Sequence, residues 1–130
     1  MKKRAESQAE AAPLVVRRGD VLWMRCDPSV GVEPRKTRTC VVVSNDVVNR
    51  FGAALTCVPT QSYSAERAGR VYMVDLRAPR STLNAPRVAN ASMLMTYHRR
   101  RVVSRAGRVS NETLRRIDEA LSMHLGLVPI

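Results

Sequence analysis

The sequence is poor in aromatic residues and contains no long apolar run. Aromatic side chains make up 4% of its 130 residues, so few rings are available to stack on nucleobases. No stretch approaches the length of a membrane-spanning helix, and the basic start MKKRAESQAEAAPL lacks the continuous apolar segment of a signal peptide. These absences predict a cytoplasmic protein without a membrane partner.

Residues suited to metal or proton chemistry are also scarce. Cys26, Cys40 and Cys57 each lie within an apolar run, and no two have the short spacing of a zinc knuckle or a redox pair. We interpret them as buried thiols of a reducing compartment and predict neither a metal site nor a cofactor. His98 and His124 have no convincing catalytic partner in the sequence, and the sequence has no phosphate-binding glycine loop or nucleophile elbow.

Positive charge, by contrast, is abundant. Lysine and arginine together number 22 against 11 acidic residues, which gives a net charge of +11, and lysine occurs only at Lys2, Lys3 and Lys36. The excess is therefore arginine, whose planar fork matches phosphate and carboxylate groups. This favours a polyanion or an acidic protein as partner, while a GC-rich coding bias is the alternative source of so many arginines.

The length allows one hydrophobic core, and we predict a flexible tail over residues 1–14 and a single domain over 15–130. Runs of β-forming residues predict a small antiparallel sheet or barrel. One of Ser44, Asn45 and Asp46 is predicted to cap a short helical turn that Gly52 ends. The predicted strands are VLWMRC at 21–26, TCVVVS at 39–44, AALTCVP at 53–59, RVYMVDL at 70–76, ASMLMTY at 91–97 and VVSRAGRV at 102–109.

The C-terminal segment has a different, helical period. Ser110 is a good N-cap, and apolar residues follow it at intervals of three and four, with charged residues between them. The predicted apolar stripe consists of Leu114, Ile117, Leu121, Leu125 and Val128. One amphipathic helix is therefore expected to close the sheet.

Polar and charged residues flank the second and third predicted strands. They are Glu33, Arg35 and Lys36 in the loop 29–37, Arg38 at the start of the second strand, and Thr60, Gln61 and Ser62 after the third. If the two strands are antiparallel neighbours, Arg38 and Thr60 converge at one edge of the sheet. The pair would then border a functional site, while the alternative is that Arg38 pairs with a carboxylate and serves the fold alone.

At these residues the chain resembles the MazF/PemK family of toxin endoribonucleases. The similarity runs from about residue 17 to 127. Its first part is RRGDVLWMRCDPSVGVEPRKTRTCVVVSND, which has a basic-Gly-Asp start, an Asp-Pro turn, a Gly-x-Glu loop and an arginine before a valine strand. Its last part is the ending GRVSNETLRRIDEALSMHLGL. The order and spacing of these motifs together carry the resemblance.

The resemblance implies an α+β fold, a small antiparallel β-barrel of the CcdB/PemK toxin type that is Src-homology-3-like, with short helices and a C-terminal helix. It implies a homodimer, a MazE-like acidic antitoxin as partner, and metal-independent, sequence-specific cleavage of single-stranded RNA by an mRNA interferase. The 2′-hydroxyl would attack, leaving 2′,3′-cyclic phosphate and 5′-hydroxyl ends. Arg38, Thr60 and Glu33 match the family's catalytic positions, and RNA-binding roles are expected for Arg35, Lys36, Gln61 and Ser62.

The chain departs from the family pattern at several positions. Thr39 follows Arg38 where the family usually has proline, and Thr60 follows Pro59 directly instead of one residue later. Met93 and Met95 stand where the family often has glutamine and arginine, which predicts different base recognition.

These departures leave two alternatives open. One is a non-enzymatic toxin that inhibits DNA gyrase, as CcdB relatives do, and the other is a catalytically silent nucleic-acid-binding regulator. A gyrase inhibitor has no need of the Arg38 and Thr60 pair. Binding of nucleic acid without cleavage would favour the silent regulator.

Overall fold

Seven antiparallel strands and three α-helices follow one another along the chain in a computed structural model, which describes residues 14–26, 37–77 and 83–129. The strands are β1 (Asp20–Arg25), β2 (Thr37–Val42), β3 (Ala54–Ser62), β4 (Met73–Asp75), β5 (Arg87–Asn90), β6 (Met95–His98) and β7 (Val102–Arg108). The helices are α1 (Asp46–Phe51), α2 (Ala65–Ala68) and α3 (Asn111–His124), with 3₁₀ turns at Ala91–Met93 and Arg99–Arg101.

Strand β3 is the branching point of the sheet. One of its edges pairs with β2, whereas the other edge is divided, its first half pairing with β6 and its second half with β5. The strand order is β4-β5-β3-β2-β1-β7, and every pairing is antiparallel. The start of β2 therefore lies beside the C-terminal half of β3, as the sequence predicts.

The alternation of side chains along β1 and β2 creates two apolar layers. Val21 and Val41 belong to a layer that includes Ile117 of α3, while Leu22 and Cys40 belong to the other layer. All five side chains are fully buried. Because these strands are buried on both faces, they read in the sequence as nearly continuous apolar runs.

Helix α3 begins as the sequence predicts. The Ser110 hydroxyl accepts a hydrogen bond of 3.1 Å from the backbone N–H of Thr113, which satisfies one of the free donors of the first turn. Ile117 is the fully buried member of the predicted stripe. The prediction is wrong for Leu125 and Val128, which are exposed, because the helix ends at His124 and the residues beyond it leave the helical period.

The sequence prediction is also wrong around β3 and β5. Residues 60–62 were expected in a loop but extend β3, because they pair with β5 in the register Thr60↔Ala89, Gln61↔Val88 and Ser62↔Arg87. Strand β5 lies between the predicted strands 70–76 and 91–97, where the sequence analysis assigned no strand, and it was missed. The strand predicted over 91–97 instead consists of a 3₁₀ turn followed by β6.

The cysteines match the expected burial in part. All three thiols are free; Cys40 and Cys57 are fully buried, whereas Cys26 is half-buried. Burial raises the pKa of the Cys57 thiol to about 12, with a further contribution from Cys26. Burial likewise raises the pKa of Cys40. Two of the three therefore behave as packed core thiols.

Within the three described ranges, no helix has both the length and the apolar composition needed to cross a lipid bilayer. Three predicted site residues, Glu33, Arg35 and Lys36, and the tail up to residue 13 lie outside the described residues. The division into a tail over 1–14 and one domain over 15–130 stays a prediction.

Candidate active site

A row of side chains crosses four strands at the end of the layer that contains α3. Trp23 of β1 is paired with Thr39 of β2 on one side and with Ser104 of β7 on the other. The β2–β3 register, Cys40↔Pro59, places Thr39 opposite Thr60 one residue further along. Their side chains meet, because the two hydroxyl oxygens lie 2.5 Å apart. Neighbouring strands thus bring together residues that are distant in sequence.

Arg87 of β5 completes this arrangement from the far side of β3. Its Nε donates to the Thr60 hydroxyl at 2.9 Å, and one terminal nitrogen donates to the Thr60 carbonyl at 3.0 Å. The other terminal nitrogen lies 3.4 Å from the hydroxyl oxygen of Ser62. These contacts place the guanidinium over the C-terminal half of β3, where its planar fork holds both the side chain and the backbone of Thr60.

The two threonines differ in their access to solvent. Thr60 has no exposed surface, whereas Thr39 is 6% exposed and lines a cavity of about 470 Å³. Arg38 and Arg87 line the same cavity, and the whole lining is formed by Trp23, Thr37, Arg38, Thr39, Leu83, Asn84, Ala85, Arg87 and Ala106. Thr39, Arg38 and Arg87 therefore border one space.

Positive charge accumulates at this cavity. The pKa of Arg87 is lowered, first by partial burial and then by the positive charges of Arg38 and Arg67. The Arg87 guanidinium remains protonated although its pKa is lowered. The repulsion from Arg38 and Arg67 indicates that their positive charges lie close to it. An anion placed among them would relieve the repulsion, and phosphate offers the geometry that arginine forks match.

The start of β2 and the C-terminal half of β3 lie side by side as expected, and Arg87, which contacts Thr60, lines the same cavity as Arg38. Ser62 is exposed at the end of β3, and the side-chain Oε1 of Gln61 accepts a hydrogen bond of 3.1 Å from Nδ2 of Asn90. The catalytic and RNA-binding roles of these residues stay predictions.

Sequence reasoning did not assign Trp23, Thr39 or Arg87 to the site. Thr39 was visible as a departure from the family's proline, and that signal could have suggested a new polar function. Trp23 is the sole tryptophan of the chain and lies in a predicted strand, where it reads as a core residue. Arg87 gave no comparable signal, because its partners belong to β3 and are 25 to 27 positions away.

The other titratable residues do not assemble a catalytic or metal site in the described parts of the chain. His98 caps a 3₁₀ turn by accepting a bond of 3.0 Å from the backbone N–H of Arg100 at its Nδ1. Within residues 14–26, 37–77 and 83–129, no three histidine, cysteine, aspartate or glutamate side chains group closely enough to hold a metal ion.

Comparisons with known proteins agree with this architecture. Endoribonuclease MazF9 of Mycobacterium tuberculosis (strain ATCC 25618 / H37Rv) is 36% identical over 120 residues, covering 87% of this chain and 98% of that protein. A solved endoribonuclease in complex with its cognate antitoxin, from Mycobacterial species, has a TM-score of 0.69 at 25% identity and covers 88% of this chain and 99% of that one.

A MazE–MazF structure from Deinococcus radiodurans shares the fold, with a TM-score of 0.72 at 19% identity, covering 88% of this chain and 99% of that one. The predicted α+β fold, a small antiparallel β-barrel of this toxin type with a C-terminal helix, is confirmed. The family described as PemK-like, MazF-like toxins of type II toxin–antitoxin systems matches residues 17–125. The chain therefore belongs to the PemK-like, MazF-like toxin family.

Proposed function

We propose that this chain is a sequence-specific endoribonuclease that cleaves single-stranded RNA as the toxin of a type II toxin–antitoxin pair. The observation that carries the proposal is the cavity in which Arg38, Arg87 and Thr39 meet. Its fixed positive charge and hydroxyl donor suit a phosphodiester. Family membership and the relatives named endoribonucleases support the same activity.

The chemistry needs no nucleophile from the protein, since RNA carries its own. The ribose 2′-oxygen attacks the adjacent phosphorus, the bond from phosphorus to the 5′-oxygen breaks, the 2′-hydroxyl proton leaves, and the 5′-oxygen gains a proton. No water is consumed, so the products are a 2′,3′-cyclic phosphate and a 5′-hydroxyl. The protein must align these atoms and stabilise the charged phosphorane.

Arg38 is the residue proposed to stabilise the phosphorane. It is exposed at the start of β2 and lines the cavity, so its donors can reach a bound phosphate. A protonated guanidinium is a poor base, so another group takes the 2′-hydroxyl proton. Glu33 is the predicted candidate from the sequence resemblance, and it lies outside the described residues.

RNA binding is proposed to extend from the cavity along the end of β3. Ser62 is exposed there, and Gln61 is half-buried beside it. Arg35 and Lys36 precede β2 and would add phosphate contacts. Met93 and Met95, which are 51% and 42% exposed, are candidates for base contacts that differ from those of the family pattern.

The proposed partners follow from the same resemblance. An acidic, MazE-like antitoxin would complement the net charge of +11, and one solved relative is described as bound to its cognate antitoxin. We also propose that the chain acts as a homodimer in the cytoplasm.

The decisive experiment compares wild-type protein with Arg38→Ala on a mixed-sequence RNA. We expect wild type to release fragments with 2′,3′-cyclic phosphate and 5′-hydroxyl ends, and Arg38→Ala to cleave about 10²–10³-fold more slowly because a donor to the phosphorane is lost. Arg115→Ala on α3 is the matched control, since it removes the same charge outside the cavity lining. Thermal melting and gel filtration check folding and assembly.

Two results would contradict the proposal. If the wild-type protein leaves RNA intact in metal-free buffer, the proposed ribonuclease activity is wrong. A gyrase supercoiling assay would then test the non-enzymatic alternative. Equal cleavage by wild type and Arg38→Ala would remove Arg38 from the mechanism.

A further inference from the structure

We infer that Arg87 is a second catalytic arginine, which binds a non-bridging oxygen of the scissile phosphate in the cavity that Arg38 also lines. The inference rests on the proposed ribonuclease activity and deepens it by naming a further residue that touches the reacting group. Sequence reasoning gave Arg87 no role, and its assignment depends on contacts and charges that the fold creates.

One edge of the Arg87 guanidinium is held by strand β3. Its Nε donates to the Thr60 hydroxyl at 2.9 Å, and its Nη2 donates to the Thr60 carbonyl at 3.0 Å. Among the described residues, the remaining contact is a long one of 3.4 Å from Nη1 to the Ser62 hydroxyl. A guanidinium carries more N–H donors than these contacts use, so its terminal nitrogens keep donors for a further acceptor.

The positive charge of Arg87 has no carboxylate partner in the part of the chain that the structure describes. The ion pairs found there belong to other arginines, and neither Arg38 nor Arg67 takes part in them. Partial burial lowers the pKa of Arg87, and the charges of Arg38 and Arg67 lower it further. A partly buried charge among like charges is costly, and a bound anion would offset that cost.

The cavity gives such an anion a place beside Arg87. Arg38 and Arg87 both line it, and no acidic residue belongs to its described lining. The phosphate of RNA is an anion whose non-bridging oxygens match the donors of an arginine fork. Those oxygens gain charge when the 2′-oxygen attacks, so a guanidinium in contact with them stabilises the phosphorane more than the bound RNA.

The contacts with β3 also fix Arg87 before RNA binds. A long side chain that is ordered only on binding loses rotamer freedom at that moment, whereas Arg87 is already held at Thr60. Strands β2 and β5 lie on either side of β3, so Arg38 and Arg87 approach the phosphate from two different strands. The site thereby combines an exposed arginine with a preorganised one.

The first test measures the phosphate contact with an uncleavable 2′-deoxy oligonucleotide. Each cationic contact with a single strand contributes a slope of about −0.7 in a plot of log affinity against log salt. We expect Arg87→Ala to reduce the magnitude of this slope by about 0.7, and Arg87→Lys, which keeps the charge, to retain the wild-type slope. A residue that only supports the fold changes stability and leaves the slope as it was.

The second test measures single-turnover cleavage at saturating RNA. We expect Arg87→Ala to slow the cleavage step about 10²-fold and Arg87→Lys to recover part of the loss, because an ammonium keeps the charge without the fork. Arg87→Gln keeps an N–H donor for Thr60 but has no charge. It should therefore be about as slow as Arg87→Ala, which separates the charge at the phosphate from the support of Thr60.

Arg99 provides a matched control, because it holds the backbone with a similar fork outside the cavity lining. Its Nε and Nη2 donate to the Gly52 carbonyl at 3.3 and 3.1 Å. We expect Arg99→Ala to lower the thermal unfolding midpoint and to leave both the salt slope and the cleavage step at their wild-type values.

If Arg87→Ala does not melt cooperatively, Arg87→Gln replaces it in both measurements. Phenylglyoxal modification of the wild-type protein, read by mass spectrometry, tests the contact without any substitution. We expect the bound oligonucleotide to protect Arg87 and to leave Arg115 reactive.

Three results would overturn the inference: a wild-type salt slope in the neutral Arg87 variant, wild-type cleavage by Arg87→Gln, or no protection of Arg87 by the oligonucleotide. Failure of the wild-type chain to cleave RNA is a separate result, which would overturn the proposed function. The salt slope and the protection of Arg87 are measured without cleavage, so the two failures are distinguishable.

Discussion

The Nε atom of Arg87 lies 2.9 Å from the hydroxyl oxygen of Thr60, so a cation at the start of β5 holds a buried threonine near the end of β3. The same guanidinium also donates to the Thr60 carbonyl at 3.0 Å. One side chain therefore supports both the pairing of the two strands and the orientation of a hydroxyl beside the cavity. Loss of its fork should affect stability and cleavage together.

Replacing Arg87 by lysine tests this dual role. An ammonium group keeps the charge but cannot reproduce the two-point contact with Thr60, so we expect a loss of about 1–3 kcal/mol in the free energy of unfolding. We also expect slower cleavage at saturating RNA. Urea denaturation and single-turnover kinetics measure the two effects.

Arg116→Lys is the matched control for Arg87→Lys, since Arg116 contacts Glu112 through one nitrogen at an exposed position. We expect a change within about 0.5 kcal/mol in unfolding free energy for that variant, as is usual for surface substitutions. Equal effects of the two substitutions would show that the Arg87 contacts do not contribute beyond an ordinary surface ion pair.

Trp23 offers a flat ring at the edge of the cavity. It is 41% exposed although β1 has a strand on either side, and it is paired with Thr39 of the neighbouring strand β2. A nucleobase could stack on it while its phosphate lies near Arg38. We expect Trp23→Ala to weaken RNA binding by about 1–3 kcal/mol and Trp23→Phe to recover much of the loss, because a ring remains.

Fluorescence anisotropy with an uncleavable 2′-deoxy oligonucleotide measures this affinity without turnover. If the oligonucleotide binds Trp23→Ala as tightly as wild type, the ring does not contact a base. If Trp23→Ala changes the cleavage rate but not the affinity for the oligonucleotide, Trp23 packs beneath the site and does not bind a base.

Binding should weaken steeply as salt concentration rises. Each phosphate neutralised on a single strand contributes a slope of about −0.7 in a plot of log affinity against log salt. Arg38→Ala should reduce the magnitude of the slope by about 0.7, while Arg115→Ala should leave it unchanged. A flat salt dependence of the wild-type protein would contradict a phosphate site in the cavity.

Asp46 predicts a pH effect on stability. The backbone N–H of Arg18 donates to its carboxylate at 2.7 Å and Asn49 Nδ2 donates at 3.0 Å, and these bonds lower the pKa of Asp46 below its ordinary value of 3.8. A lowered folded-state pKa gives stability that is complete above the unfolded value and is lost as the pH falls through the folded value.

We therefore expect Asp46→Asn to lower the thermal unfolding midpoint at neutral pH, with the difference from wild type shrinking as the pH falls below the unfolded value of 3.8. Asp118→Asn is a useful comparison, because its ion pair with Arg18 ties the same segment to α3. A difference between wild type and Asp46→Asn that is constant over the whole pH range would show that charge on Asp46 is not what stabilises the fold.

Elements set by neighbouring residues were predictable from the sequence. Asn45 caps α1 by accepting a bond of 2.9 Å from the backbone N–H of Val48, and Ser110 does the same for α3. The sequence also predicted the buried strands β1 and β2, because their apolar runs are a local pattern. It predicted the family and the approximate position of Arg38 because both depend on the order of motifs along the chain.

The site, by contrast, depends on which strand lies beside which. The Thr39–Thr60 contact spans 21 positions and the Arg87–Thr60 contact spans 27. Short strands such as β5 have little local signal, and the register of their pairing depends on hydrogen bonds across the sheet.

The sequence by itself determined the basic charge, the caps, the buried strands and membership in a toxin family. The tertiary structure alone decided that Thr60 is enclosed, that Thr39 lines the cavity and that Arg87 contacts Thr60. The physical reason is that burial and hydrogen bonding depend on which residues pack together. The sequence pattern specifies those neighbours only when they are close along the chain.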